Sequence, residues 1–476
     1  MTGDKSRTSR VSFQQEQKDQ EQANWLSRSR KNQPQWNAIG ASSLIFVSGG
    51  MSLAWGAGFA EHSMHLELIS MSVHMQVCWY GAAMLGALLS ALLTHRTPQR
   101  PVYIFSSCLV LLCGVLFLTL PERAGAVTAA RYLDGFANGL VFVPTLTTVG
   151  ELSVCEMRGV LTASVEQLSC NFGIFIQLFY TAIWNSGWSL TIVADQVHGL
   201  LSIFLGVAAL ALALTLCVES PVYLLLRRNE QAAVAALRHL QRPSMVTSET
   251  FLLLDEHKRY VADNRELSWG QSIQRGLVPL LKLTLHRSLY ALSLTPIVWV
   301  ALYKTAVELT PNFHTWPYVA FGILRCTGSC CVVFLMDSGG RKKPSLFGIF
   351  AGGTFAIAFA TLFQRTPHMI SALSMLFSFQ FFAGVAHAAS AVYLTEAFPL
   401  AVKPYFVAIV YILELLIRIG PCCFKTSHND IAVYFYVLGG MSISFFLLGI
   451  FSLPETKLTT LAQAHRKIRK WFNEDF

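Results

Sequence analysis

Charge is what this sequence has least of. Asp, Glu, Lys and Arg supply 13% of its 476 residues, too few to cover the surface of a water-soluble chain of that size. The patterns that mark an enzyme are missing as well: there is no phosphate-cradling glycine loop, no His or Glu at metal-ligand spacing and no nucleophile elbow. Enzymatic turnover, ATP-driven pumping within this chain and a bound cofactor are therefore not expected. The 11 cysteines lack metal-ligand spacing and lie mostly inside apolar runs, as at Cys108, Cys113, Cys170, Cys330 and Cys331, where they read as small buried hydrophobes. No apolar core follows Met1, so a cleavable signal is not expected and the first apolar run is expected to act as an uncleaved anchor. No loop carries an Asn-x-Ser/Thr acceptor.

Apolar residues are abundant instead, at 53%. At about 1.5 Å per helical residue, roughly 20 apolar residues cross a hydrocarbon core of about 30 Å. By that measure the sequence predicts an all-α membrane protein with twelve spans, beginning near Ala38, Met75, Val102, Val127, Gly159 and Val197, then near Leu289, Trp316, Pro344, Met369, Pro404 and Ile431. The expected division is an N-terminal tail (1–36), a first six-helix bundle (37–217), a linker with short helices (218–286), a second six-helix bundle (287–453) and a C-terminal tail (454–476). The formal charge of +9 does not imply nucleic acid, because the basic residues lie between apolar runs, where they set topology. Most fall in the tails, the linker and alternate short loops. Few fall on the opposite side (Arg123, Arg131, Lys304, Arg365, Lys425), which predicts that both termini are cytoplasmic. The expected partners are a lipid bilayer and a small solute. After Pro454 the basic pattern LTTLAQAHRKIRKW predicts an amphipathic helix against the inner leaflet.

The most informative stretch runs from Arg131 to Gly173. Gly135 and Gly139 share one helix face, where missing side chains let a neighbouring helix approach closely. Pro144 can be tolerated in such a helix. Arg131, Gly135, Gly139, Pro144, Glu151, Arg158 and Gly159 together resemble the inner-loop pattern of the sugar porter family of the major facilitator superfamily. Four further motifs resemble that family in order: Glu219, Ser220 and Pro221 after span six; Asp337, Gly340, Arg341 and Lys342 after span eight; Glu396, Phe398 and Pro399 followed by Lys403; and Pro454, Glu455, Thr456 and Lys457 after span twelve. The resemblance implies the major facilitator fold, two six-helix bundles and alternating access. It departs from the family after span two, where His95, Arg96, Thr97, Pro98, Gln99 and Arg100 replace a more regular acid-base turn.

The acids and bases of those motifs fall at one end of the spans. Glu151 with Arg158, Asp337 with Arg341, Glu396 with Lys403, and Glu219 and Glu455 are expected to form an inner gate between the halves. Exposed pairs are worth only about 0 to 1 kcal/mol each, so such a gate needs several together. The resemblance implies a solute pocket at mid-membrane. Gln167, about 13 Å above Arg158, matches the family's span-five glutamine and is expected to bind substrate, while Glu166 points about 100° away and is free to pair with another helix. Trp299 to Ala306 lack the amides the family carries in span seven, and His387 to Ala391 lack its span-ten hinge, so a hexose would lose most of its usual contacts. Charges take their place: Arg325, about 18 Å up span eight, and Arg418, about 22 Å up span eleven, with Glu414 one turn from Arg418. Two readings stay open, that Glu414 neutralises the arginines as a structural pair or that surplus positive charge binds an anionic group. Residues 38 to 60 hold no Asp or Glu, and Arg131 has Asp134 one turn away, so facilitated diffusion of a sugar or other small polar solute is favoured over proton symport. An anionic solute, proton coupling through Glu166 or Glu414, and a transport-inactive sensor are the alternatives.

Overall fold

The computed structural model describes residues 30–56, 72–185, 192–309, 315–365, 369–423 and 427–472. The N-terminal tail up to residue 29 and Lys425 lie outside the described residues. The described residues are all-helical, and among them ten helices or helix pairs are long and apolar enough to cross a bilayer. Two further spans complete the set. Span four (Ala124–Leu152) carries Arg131, Asp134, Asn138 and Glu151. Span five is broken into Arg158–Ala163, a π turn at Ser164–Leu168 and Ser169–Asn185.

The first half holds spans one (Gln33–Gly56), two (Val73–Leu93), three (Gln99–Thr119), four, five and six (Ala194–Thr215). Span two packs on span four, three on six, and one on five. Small residues set these approaches: a Cβ added at Gly139 would collide with the Ala83 carbonyl, and one at Gly135 with that of Trp79. The close approach expected of this glycine pair is thus made to span two. Large apolar side chains such as Leu85, Phe204, Phe347 and Leu448 are left exposed on the outer faces, where a bilayer rather than water suits them.

Three linker helices follow, Pro221–Leu226, Glu230–His239 and Ser248–Arg265. The second half then begins earlier than the hydropathy pattern indicates. Span seven starts at Trp269, not near Leu289, and runs as Trp269–Leu292 and Pro296–Leu309. Lys282, expected in the linker, and Arg287, expected just ahead of the span near Leu289, therefore both sit inside a helix of the bundle. They blur the pattern because two cations within six residues depress mean hydropathy even when both are buried. Spans eight (Trp316–Gly339), nine (Lys342–Phe363), ten (Met369–His387 and Ser390–Glu396), eleven (Lys403–Ile419) and twelve (His428–Ser452) complete the half. Span ten breaks at Ala388–Ala389 without the proline-rich hinge of the resembled family. The C-terminal helix Leu461–Arg469 buries Leu461, Ala464 and Ile468. Its apolar face docks on protein, with His465 bonded to the Ala397 carbonyl, which corrects the expectation that it lies on lipid.

Candidate functional site

The halves meet where span two packs on span eleven and span five on span eight. On the linker face the meeting is polar. Lys403 Nζ lies 3.3 Å from Glu151 Oε1 and donates to the Thr147 carbonyl at 2.6 Å. Ser220 Oγ holds the other Glu151 oxygen at 2.5 Å. Arg158 Nη1 lies 3.5 Å from Glu396 and donates to the Thr459 carbonyl. Arg341 also binds Glu396, at 2.7 Å. The Asp337 carboxylate accepts the backbone N–H groups of Gly159 and Val160, at 3.1 and 3.0 Å, at the start of span five.

These partners differ from those proximity in sequence suggested. Glu151 pairs with Lys403 rather than Arg158, Glu396 with Arg158 and Arg341 rather than Lys403, and Asp337 with backbone N–H groups rather than with Arg341. The swap carries the contacts across the two halves. Two expected gate residues do not bridge. Glu219 accepts the N–H groups of Gln99 and Arg100 within the first half, and burial pushes its carboxyl above the usual range. Glu455 accepts those of Arg341 and Lys342 within the second. Both satisfy the free N–H groups of a helix start and favour its positive end.

At mid-depth a second cluster joins the halves. Arg287 binds both Glu166 oxygens, at 2.9 and 3.0 Å, Glu414 at 2.6 Å and Ser390 Oγ at 3.1 Å. Arg418 pairs with Glu414 at 3.0 Å. Arg325 donates to Asn171, Gln380 and Ser293, at 3.0, 2.7 and 3.1 Å; no carboxylate among the described residues pairs with it. All three guanidiniums surround the ring of Tyr290, with centroid distances of 4.9 Å for Arg287, 5.5 Å for Arg325 and 4.8 Å for Arg418. A small cavity of about 30 Å³ lies among Glu166, Tyr290, Glu414, Arg418, Asn138 and Trp79, with the stacked rings of Phe142 and Tyr411 also in its lining.

The structure thus gathers Glu414, Arg418 and, across the Tyr290 ring, Arg325. Gln167 is not among the residues lining the cavity. Its amide holds Glu166 Oε2 at 2.6 Å, and Glu166 takes the central place, because the π turn adds a residue to the helix repeat just there. Arg287 is not among the site residues expected from sequence, although apolar residues at helical spacing from Trp269 onward place it inside a span. The cleft-facing part of span seven is Arg287 to Ser293, not Trp299 to Ala306; Trp299 packs on Phe321 inside the second half. A larger cavity, about 690 Å³, lies on the linker face and is lined by first-half and linker residues, including Gln35, Ser153, Arg158, Gln241 and His257.

Two six-helix halves that close on one face and share a buried polar centre define a major facilitator transporter fold. The chain belongs to the sugar (and other) transporter family, whose model matches residues 13–468. It is similar to the facilitated glucose transporter member 1 of Gallus gallus, 25% identical over 314 residues (63% of this chain, 61% of the relative), and to the probable plastidic glucose transporter 3 of Arabidopsis thaliana, 27% identical over 295 residues (59% and 56%). The chain thus spans less than two thirds of these two relatives. The Escherichia coli D-xylose-proton symporter is 23% identical over 359 residues, 70% of each chain. Among solved structures, the proton:xylose symporter XylE bound to 6-bromo-6-deoxy-D-glucose matches with a TM-score of 0.73 at 17% identity, over 90% of this chain and 98% of that one. Its inward-open form matches with a TM-score of 0.62.

Proposed function

We propose that this protein is a facilitative transporter that moves a sugar or another small polar organic solute by alternating access. One observation carries the reading: charged side chains join the two halves both on the linker face and at mid-depth, around a polar centre whose cavity holds about 30 Å³. Solute pockets run to about 300–1,000 Å³, so this centre is occluded and opens only as the halves rock apart. The linker face is cytoplasmic in this reading, supported by the bias of Lys and Arg toward that side, and the membrane is the plasma membrane. Uniport is favoured because span one offers no acid. Arg131 of span four donates to the Ser52 and Met75 carbonyls, while Asp134 accepts from Ser48 and Trp79.

The test is counterflow in proteoliposomes with labelled glucose and xylose, the solutes named for its relatives, and with their acid derivatives. Saturable exchange that ignores an imposed proton gradient supports the reading. Accumulation that follows the gradient converts it to symport. Binding without any vesicle uptake makes the protein a ligand sensor instead.

A further inference from the structure

The mid-depth cluster is unevenly divided between the halves. The second half supplies Arg287, Arg325, Arg418 and one carboxylate, Glu414. The first half supplies Glu166 and the Asn171 amide. When the halves part, as the proposed transport cycle requires, Glu166 must leave Arg287 and Asn171 must leave Arg325. The exposed wall of the second half then presents three guanidiniums against one carboxylate, all at least 97% buried in the closed form. A neutral sugar has hydroxyls to offer such a wall, but nothing to offset its charge.

We propose that this wall recognises the carboxylate of an organic acid, which takes the place of Glu166 on Arg287 as the halves separate. Glu166 itself shows the geometry: its two oxygens lie on the two terminal nitrogens of Arg287, at 2.9 and 3.0 Å, the bidentate fit of a planar carboxylate. Arg325, served by neutral acceptors and stacked on Tyr290, supplies the positive charge left over. Such an exchange also couples binding to motion. A ligand shifts a conformational equilibrium only through differential affinity, and here the solute acid binds where Glu166 has withdrawn.

The proposal rests on the transporter reading above, and matched probes separate the two. Uptake and counterflow are measured for glucose, glucuronate and glucose 6-phosphate under one set of conditions. Glucuronate is expected to half-saturate at least tenfold lower than glucose. Arg325→Gln should weaken glucuronate about tenfold more than it weakens glucose. Glu166→Gln, which removes the internal competitor, should tighten glucuronate. A purely structural role for the cluster predicts that both variants weaken every probe. Melting temperature and size-exclusion profile report whether each variant folds, and the wild-type comparison decides the matter without them. Equal or better use of glucose overturns the acid site and leaves the transporter reading standing. Preference for the phosphate ester overturns the carboxylate assignment. Uptake of none of the three by folded, inserted protein overturns both.

Discussion

Replacing Lys403 with Met isolates the linker-face latch. The Lys403 side chain is fully buried and Glu151 nearly so, at 3.3 Å. Methionine nearly fills the lysine's volume but abandons Glu151, whose remaining partner is the Ser220 hydroxyl. Removing one partner of a buried pair costs about 3 to 5 kcal/mol, and the pair spans the halves, so the cost falls on the closed state. Three kcal/mol is about a 150-fold change in the closing equilibrium. The amides of Gly159 and Val160 report it directly, because they donate across the halves to Asp337. Their hydrogen exchange, followed by mass spectrometry, should accelerate about 100-fold wherever opening limits it. Glu151→Gln combined with Lys403→Met should recover most of the protection, since a pair removed together leaves no stranded charge. Unchanged exchange in the single variant, or a double variant no better than the single, would refute the latch.

Two further outcomes follow from the same physics. Arg287→Gln leaves Glu414 its partner Arg418 but strips Glu166 of its guanidinium, and should lower stability by about 3 to 5 kcal/mol, seen as a fall in melting temperature that Glu166→Gln in the same chain partly reverses. His257, buried in the third linker helix, is pushed down to about 4, first by burial and then by Arg158. The unfolded chain binds that proton near 6.5, so its contribution is complete above about 6.5 and is lost as pH falls toward 4, by up to about 1.4 kcal/mol per pH unit. Between pH 7.5 and pH 5 the wild type should therefore lose about 2 kcal/mol more than His257→Gln, measured by thermal unfolding at both pH values.

The six-plus-six plan was legible because it rests on run length and on small-residue spacing, and both act within a single helix. Gly135 and Gly139 announced a close helix neighbour, and the turn motifs at Asp337, Glu396 and Glu455 fell where helices end. The carboxylates of the latch were legible as a set, but their partners were not. Electrostatic pairing depends on distance in space, and Glu151 and Lys403 stand 252 positions apart.

Span seven shows the limit most clearly. A buried cation looks like a surface cation to any reading of hydropathy, so the sequence leaves Arg287 ahead of the span, and only its partners on spans five and eleven place it inside. Gln167 and Glu166 exchange roles for a local reason: one π turn rotates the helix face by most of a residue, and no sequence period encodes that. The sequence by itself determined that this chain crosses a bilayer in two similar halves, because the transfer of apolar helices out of water is additive along the chain. Only the tertiary structure decided which charges meet at the centre, because their desolvation is offset solely by partners that folding brings from the opposite half.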